Sequence, residues 1–355
     1  MKPLGKHLSA AAGLLLGLAG TVQAMPAGDA LQRPALQVRA PERAALLSAA
    51  LAGPRVVAVG ERGIVLLSDD AGRSWRQAPC PVSVTLTTVR FVTPTQGVAV
   101  GHGGTVLTTQ DAGASWQLRL DGRRLAALAL EAAKAPGAAA GALQEAERLV
   151  ADGPDKPLLD VLPLDARRLL AVGAFGLAIY SADGGQTWQP WMSRLPNPRG
   201  LHWYVARRQG GTLLLAGEQG LLARSDDDGQ TFRALASPYK GSWFAAELQA
   251  DGGLVLAGLR GQVWRSHDLG DNWTPVANPV PATVTAMSPW PGGSLLLASQ
   301  SGALLRLNGD RLQPLPTQPL AMPASLLPLP DGRLLALGLA GLNVLNPAQD
   351  APSPR

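Results

Sequence analysis

The chain has 355 residues, a formal charge of +5, 16% charged residues, 41 glycines, 30 prolines and one cysteine. A single cysteine excludes an intramolecular disulfide, and without a basic run the mild positive charge gives no footprint for a nucleic-acid partner. The length alone allows two domains, while the density of Gly and Pro suits many short strands.

Residues 1–24 read as a secretory signal peptide. Lys2 and Lys6 precede an apolar run over 8–19, and Val22-Gln23-Ala24 supplies a small-residue cleavage site. The run is too short to prefer spanning a bilayer, and no cysteine follows it for lipid attachment. An exported protein is expected, periplasmic in a two-membrane envelope. Residues 25–34 read as a mobile leader. Cys80 reads as a small apolar core residue, since no base stands near it in sequence.

From here a unit repeats. A glycine and an aromatic stand 15 residues apart at Gly60 to Trp75, Gly101 to Trp116, Gly173 to Trp188, Gly217 to Phe232 and Gly258 to Trp273. Two further units, from Ser299 and Gly338, keep only the front half. Six separations result: 41, 72, 44, 41, 41 and 39 residues. A period near 40 is propeller or solenoid length, and the long gap holds one period plus about thirty inserted residues. Seven units over 35–346 predict an all-β, seven-bladed β-propeller of four-stranded blades. The seventh unit lacks an outer strand. Because an open sheet edge is a liability, the alternating Leu36-Gln37-Val38 is expected to supply it and close the last blade.

The inserted stretch, 121–152, is Ala/Leu-rich and split by Pro136-Gly137, so it reads as a helical hairpin between blades two and three. Leu125, Leu128, Leu130, Leu143 and Leu149 are placed to face the propeller. Blade six replaces the unit's second half with an Asn308-Gly309-Asp310 turn. Residues 347–355 read as a flexible, Pro-rich tail.

Each complete unit ends in an octet: SDDAGRSW (68–75), TQDAGASW (109–116), SADGGQTW (181–188), SDDDGQTF (225–232) and SHDLGDNW (266–273). The aspartates, Asp70, Asp111, Asp183, Asp227 and Asp268, can accept backbone N–H bonds across a tight hairpin. The aromatics, Trp75, Trp116, Trp188, Phe232 and Trp273, then turn into the protein as anchors. These octets resemble Asp-box (BNR) repeats. With GPDKPLLDVL (153–162), LPNPRGLHWYV (195–205) and SPYKGSWFAAEL (237–248), the longer pattern resembles the YCF48/HCF136-like family. That resemblance covers roughly 35–345. It implies a seven-bladed propeller that binds protein and assists assembly or stability of a membrane complex, without catalysis. In photosynthetic organisms it implies photosystem II; in other bacteria, association with an RND-type transporter.

In a four-stranded blade, the G-x-x-G loops between strands two and three share a face with the loops leading into strand one. The box lies on the other face. The first rim therefore collects Glu61, Arg62, His102, Phe175, Glu218, Gln219, Leu259, Arg260 and Gln300 with Asp155, Lys156, Asn197, Arg199, His202, Tyr239, Lys240 and Trp243. Loops on a rigid scaffold carry function, and Arg, Tyr and Trp anchor protein contacts. The expected partner contacts are Arg62, Lys156, Lys240 and Arg260 by charge, and His102, His202, Tyr239 and Trp243 by packing. The alternative is a carbohydrate-active propeller, a sialidase-like glycosidase or a lectin, with Trp203 and Trp243 stacking on sugars and Glu61 and Glu218 as acids. Against it, Arg55-Val56-Val57 is no Arg-Ile-Pro segment, and of three tyrosines only Tyr239 reaches this rim. Asp160 falls in an inner strand and reads as structural. No metal is expected, because His102, His202 and His267 are spread over the chain and one carboxylate per box is too few for a cation. No cofactor is expected either.

Overall fold

The computed structural model describes residues 29–249 and 251–347; the stretch read as a signal peptide, the first four residues of the expected leader and almost all of the expected tail lie outside them. Seven antiparallel sheets follow one another, six of four strands and a last one of three. Their inner strands are Leu46–Ala52, Leu86–Phe91, Leu158–Pro163, Trp203–Gln209, Trp243–Leu248, Val284–Trp290 and Pro323–Pro328. Each touches the next, and Pro323–Pro328 touches Leu46–Ala52, so the ring closes into the seven-bladed propeller. Five of the seven second strands, such as Leu169–Gly173 and Leu254–Gly258, are buried at every residue, and the other two at all but the first. A neighbouring blade covers each of their faces, which is why they are continuous apolar runs.

The box is a hydrogen-bonded unit built the same way five times. In blade four the Ser225 hydroxyl donates to Asp227 Oδ1 at 2.7 Å and accepts from Gly229 N at 2.9 Å. Thr231 N and its hydroxyl donate to the two carboxylate oxygens at 2.9 and 2.6 Å. These bonds favour the ionised acid. The Thr231 hydroxyl, then Thr231 N–H and the Ser225 hydroxyl, hold Asp227 down to about 2. Asp70 and Asp268 are lowered by the same bonds; in Asp111 and Asp183 burial pushes upward but the bonds outweigh it. A carboxyl lowered by folding adds stability that is complete above the ordinary aspartate value of 3.8 and is lost as pH falls through the folded value. The melting temperature is therefore expected to hold from neutrality to about pH 4 and to fall steeply towards about pH 2. Asp227→Asn should flatten part of that fall; an unchanged acid limb in a pH series of thermal melts would show that the boxes do not set it.

Each box aromatic packs backwards onto the preceding blade. Trp116 lies with Val57 and Leu67, Trp188 with Val98 and Val100, Phe232 with Leu162 and Leu170, and Trp273 with Leu214 and Leu235. Arginines tie the same junctions on the box face: Arg55 donates to Ala112 O at 3.3 Å and Arg224 to Leu269 O at 2.6 Å. The closure between blades seven and one uses these devices too. Trp75 packs with Leu329 and Leu335, and Arg333 donates to Ala71 O at 2.7 Å.

That closure corrects one expectation. Leu36-Gln37-Val38 is not a strand of blade seven, whose sheet keeps three strands. It lies instead along the outer strand of blade one, Arg76–Ala78. The Gln77 side chain donates to Leu36 O at 2.9 Å and accepts from Val38 N at 3.1 Å, and Ala35 N donates to Cys80 O at 3.0 Å. Blade one offered this segment matching polar groups, whereas the side-chain and arginine contacts already join blades seven and one. Nor are residues 29–34 loose. Leu31 is buried against Gly103, and Asp29 pairs with Arg123 at 2.6 Å. Deleting residues 29–39 is expected to cost about 2 kcal/mol, mostly from Leu31. That is a fall of roughly 3 °C in the melting temperature, readable by scanning calorimetry.

The insertion is the expected helical hairpin: α1, Gly122–Ala133, and α2, Ala142–Asp152. Asp121 caps α1 by accepting from Arg124 N at 2.9 Å. Leu125 and Leu149 are buried with Trp188 and the blade-three strands, and Leu128 and Leu130 pack against them. Leu143 instead faces outward with Val150, one α2 face away from the propeller.

Candidate partner-binding rim

The G-x-x-G loops and the lead-in loops do share one rim, and close backbone approach is the reason. A Cβ on Gly217 would sit 2.1 Å from His202 O, so only glycine lets Glu218 N donate to that carbonyl at 2.9 Å. The other units repeat the bond, as Glu61 N to Ala45 O at 2.9 Å and Leu259 N to Ser242 O at 3.0 Å show. In blades one to five the tip residue of the loop is then held in the left-handed region. Arg62, Phe175, Gln219 and Arg260 have φ of 52°, 54°, 51° and 57°. Each such non-glycine residue costs roughly 1–2 kcal/mol, and each displays its side chain at the rim.

The expected contact residues do not form one patch. Arg62 and His102 are exposed on the loops of blades one and two, and Lys240 and Arg260 on the lead-in and the loop of blade five. Tyr239 is half-buried, its ring edge-on to Trp243 at 5.7 Å. Trp243 is not a surface residue: it is fully buried, and its indole N–H donates to Ser237 Oγ at 3.1 Å. Trp203 is buried likewise, so neither ring is available to stack on a sugar. Both begin inner strands, where the chain enters the core.

Lys156 and His202 do come together, around Phe175. Phe175 is 57% exposed, lies 4.8 Å from the His202 ring and has the Lys156 ammonium 5.5 Å from its centroid. Lys156 is also held by Asp152 at 2.6 Å. Next to them Arg199 donates to Gln219 at 2.8 Å. The aromatic arc continues inward through Tyr204, 6.0 Å from His202, to Phe244, 5.1 Å further. Phe175 was legible as a rim residue; what marks it as the centre is the His202 ring and the Lys156 ammonium gathered against it, contacts between loops that spacing along the sequence does not show. Beside this sector, α1, α2 and the loop after blade three enclose a groove of about 400 Å³. Ala133, Ala146, Leu149 and Met192 line it, with Phe175 and Arg199 at its lip.

The central channel, about 430 Å³, holds the other polar cluster. Asp160 of blade three accepts from Arg90 of blade two at 3.2 Å and from Arg207 of blade four at 2.8 Å. Arg207 also reaches Glu247 of blade five at 3.3 Å. Val161 N and Ala206 N complete the coordination of Asp160 at 2.9 and 3.1 Å. Two cations face two anions, so the quartet is neutral and joins four inner strands.

The acids named for a glycosidase have bonding duties. Glu61 accepts from Ala45 N at 3.0 Å, and Glu218 accepts from His202 N at 3.1 Å and from its ring at 2.7 Å. Burial pushes the Glu218 carboxyl up, but the His202 bonds outweigh it and hold it below the ordinary value. It is an ionised clamp on a loop, not a protonated general acid. No group of three His, Cys, Asp or Glu side chains among the described residues could hold a metal ion.

A BNR/Asp-box repeat model matches residues 179–190, the third box with the strand ends beside it. No curated protein matches the sequence. The fold is that of YCF48. A structure of YCF48 bound to D1 peptide is 18% identical, with TM-score 0.64, covering 88% of this chain and 98% of that one. YCF48 from Cyanidioschyzon merolae is 14% identical, with TM-score 0.64 over 88% and 99%. A streptogramin B lyase structure aligns as well, 13% identical with TM-score 0.65 over 90% and 99%. Likeness of this degree extends to an enzyme as readily as to an assembly factor, so it establishes the architecture alone.

Proposed function

We propose that this chain is an exported, periplasmic, non-enzymatic propeller. Through the blade-three and blade-four sector of its G-x-x-G rim it binds a protein partner and assists assembly or stability of a membrane-protein complex. In a non-photosynthetic source that complex would be an RND-type transporter. The observation that carries the reading is Phe175: a large ring held in a strained conformation, exposed, and flanked by Lys156, His202 and Arg199. An aromatic anchor rimmed by cations is what protein contacts are built from. A polypeptide partner also accords with the peptide held by YCF48. The glycosidase reading loses its rings to the core and its acids to the loop backbone.

Cross-linked envelope fractions tagged on the native chain and on a Phe175→Ala/Arg199→Glu variant test this. One membrane protein is expected to be at least about tenfold depleted with the variant, as loss of an anchor worth 1.4 kcal/mol or more requires. Identical sets of partners would refute the sector. Turnover of fluorogenic glycosides that disappears in Glu218→Gln would refute the non-enzymatic reading.

A further inference from the structure

Six of the seven blades end in an outer strand that is a poor template for pairing. Arg76–Ala78, Gln117–Leu120 and Arg233–Ala234 contain an arginine, Gln189–Pro190 and Thr274–Pro275 a proline, and Arg311–Pro314 both. Charge, proline and brevity are the usual means of blunting a sheet edge. Blade seven ends in Gly341–Leu345, GLNVL, which is longer than any of these and has neither charge nor proline. It pairs with Leu334–Gly338 as Gly338↔Gly341, Ala336↔Asn343 and Leu334↔Leu345 about a two-residue turn. In an antiparallel ladder closed this way, the N–H and C=O groups of Leu342 and Val344 point away from the sheet. Among the described residues no backbone bond reaches either one. Their side chains are already used, packed towards blade one, as that of Leu345 is towards blade six. What the strand has left to offer is main chain.

We propose that this edge takes an extended segment of another polypeptide as the fourth strand of blade seven. The chain's own outer strands define what fits. Ala78, Leu120 and Leu312 are the buried side chains of theirs, 1%, 3% and 6% exposed, and the residues beside Leu312 are exposed. The occupant is therefore a short strand with one apolar side chain turned into the blade and polar neighbours outside. Main-chain bonds supply its affinity and that one pocket its selectivity. The site is independent of the Phe175 sector.

The probe is an acetylated, amidated peptide copying residues 310–315, Asp-Arg-Leu-Gln-Pro-Leu, added to the full chain while amide exchange is followed by NMR. Saturable binding should slow exchange at Leu342 and Val344 by at least about tenfold. In blade six, Arg311 and Gln313 are the residues that pair with Asn308 and Arg306. N-methylating the probe at its Arg and Gln removes about two main-chain bonds and should weaken it roughly thirtyfold. N-methylating its Leu should change little. Absence of protection at millimolar peptide overturns the proposal, as does equal binding by both methylated peptides. Protection already present in the free chain also overturns it: if lost on dilution, a second copy holds the edge; if lost on truncation after Pro347, the chain's own tail does.

Discussion

Asp160→Asn is expected to lose about 3 kcal/mol of stability, the low end of the cost of breaking a buried pair, because the two cations left behind are half-buried. Asp160 is 3% exposed and accepts four hydrogen bonds from three consecutive blades. Asparagine keeps one acceptor oxygen and turns an amide NH2 towards a guanidinium. Arg207 would keep Glu247, but Arg90 would retain only the carbonyl of its own neighbour, Val89, at 3.3 Å. The melting temperature should fall by roughly 5 °C. Glu247→Gln is the control. It leaves Arg207 paired to Asp160, so it should cost less, about 1.5 kcal/mol, the low end for a bond to a charged group. A thermal melt of Asp160→Asn within about 1.5 °C of the native chain, about what 1 kcal/mol would give, would mean that the channel quartet is not a structural tie.

The local chemistry of this fold was legible because it repeats. The box bonds span four residues, from Ser225 to Gly229 and from Asp227 to Thr231, so the octet alone dictates them. The interval from glycine to aromatic counts the blades, and strand connectivity then puts the G-x-x-G loops on one rim. The structural role of Asp160 followed from its place in a strand. The misplaced residues are of two kinds. Trp243 reads as a rim residue from its loop, and Trp203 as a ring able to stack on a sugar. Yet they pair with Gly258 and Gly217 just as Leu46, Leu86 and Leu158 pair with Gly60, Gly101 and Gly173. Setting the repeats in register would have shown a core position. The N-terminal segment is different in kind. Three alternating residues specify a strand-like segment but not its partner, and the glutamine that captures it, Gln77, lies 39 residues from Val38. The Phe175 cluster is likewise non-local, joining a loop of blade three to the lead-ins of blades three and four.

Trp116→Ala should cost about 3–5 kcal/mol, the range for removing a large buried ring, and more than removing the box acid beside it. The indole is 6% exposed, donates to Gly113 O at 3.0 Å and meets Phe91 edge-on at 6.5 Å, wedged between blades one and two. Its loss leaves a cavity that two rigid sheets cannot close. Asp111→Ala removes turn bonds of about 1 kcal/mol each that water can partly replace, because the carboxylate lies at the surface. Trp273 calibrates the comparison. It occupies the same position in blade five but is only half-buried, so Trp273→Ala should cost about 1–2 kcal/mol. Urea titrations of the three variants read the order directly. Should Asp111→Ala prove as damaging as Trp116→Ala, the blades would be held by the stiffness of their turns, and the backward-packing aromatics would be passengers on it.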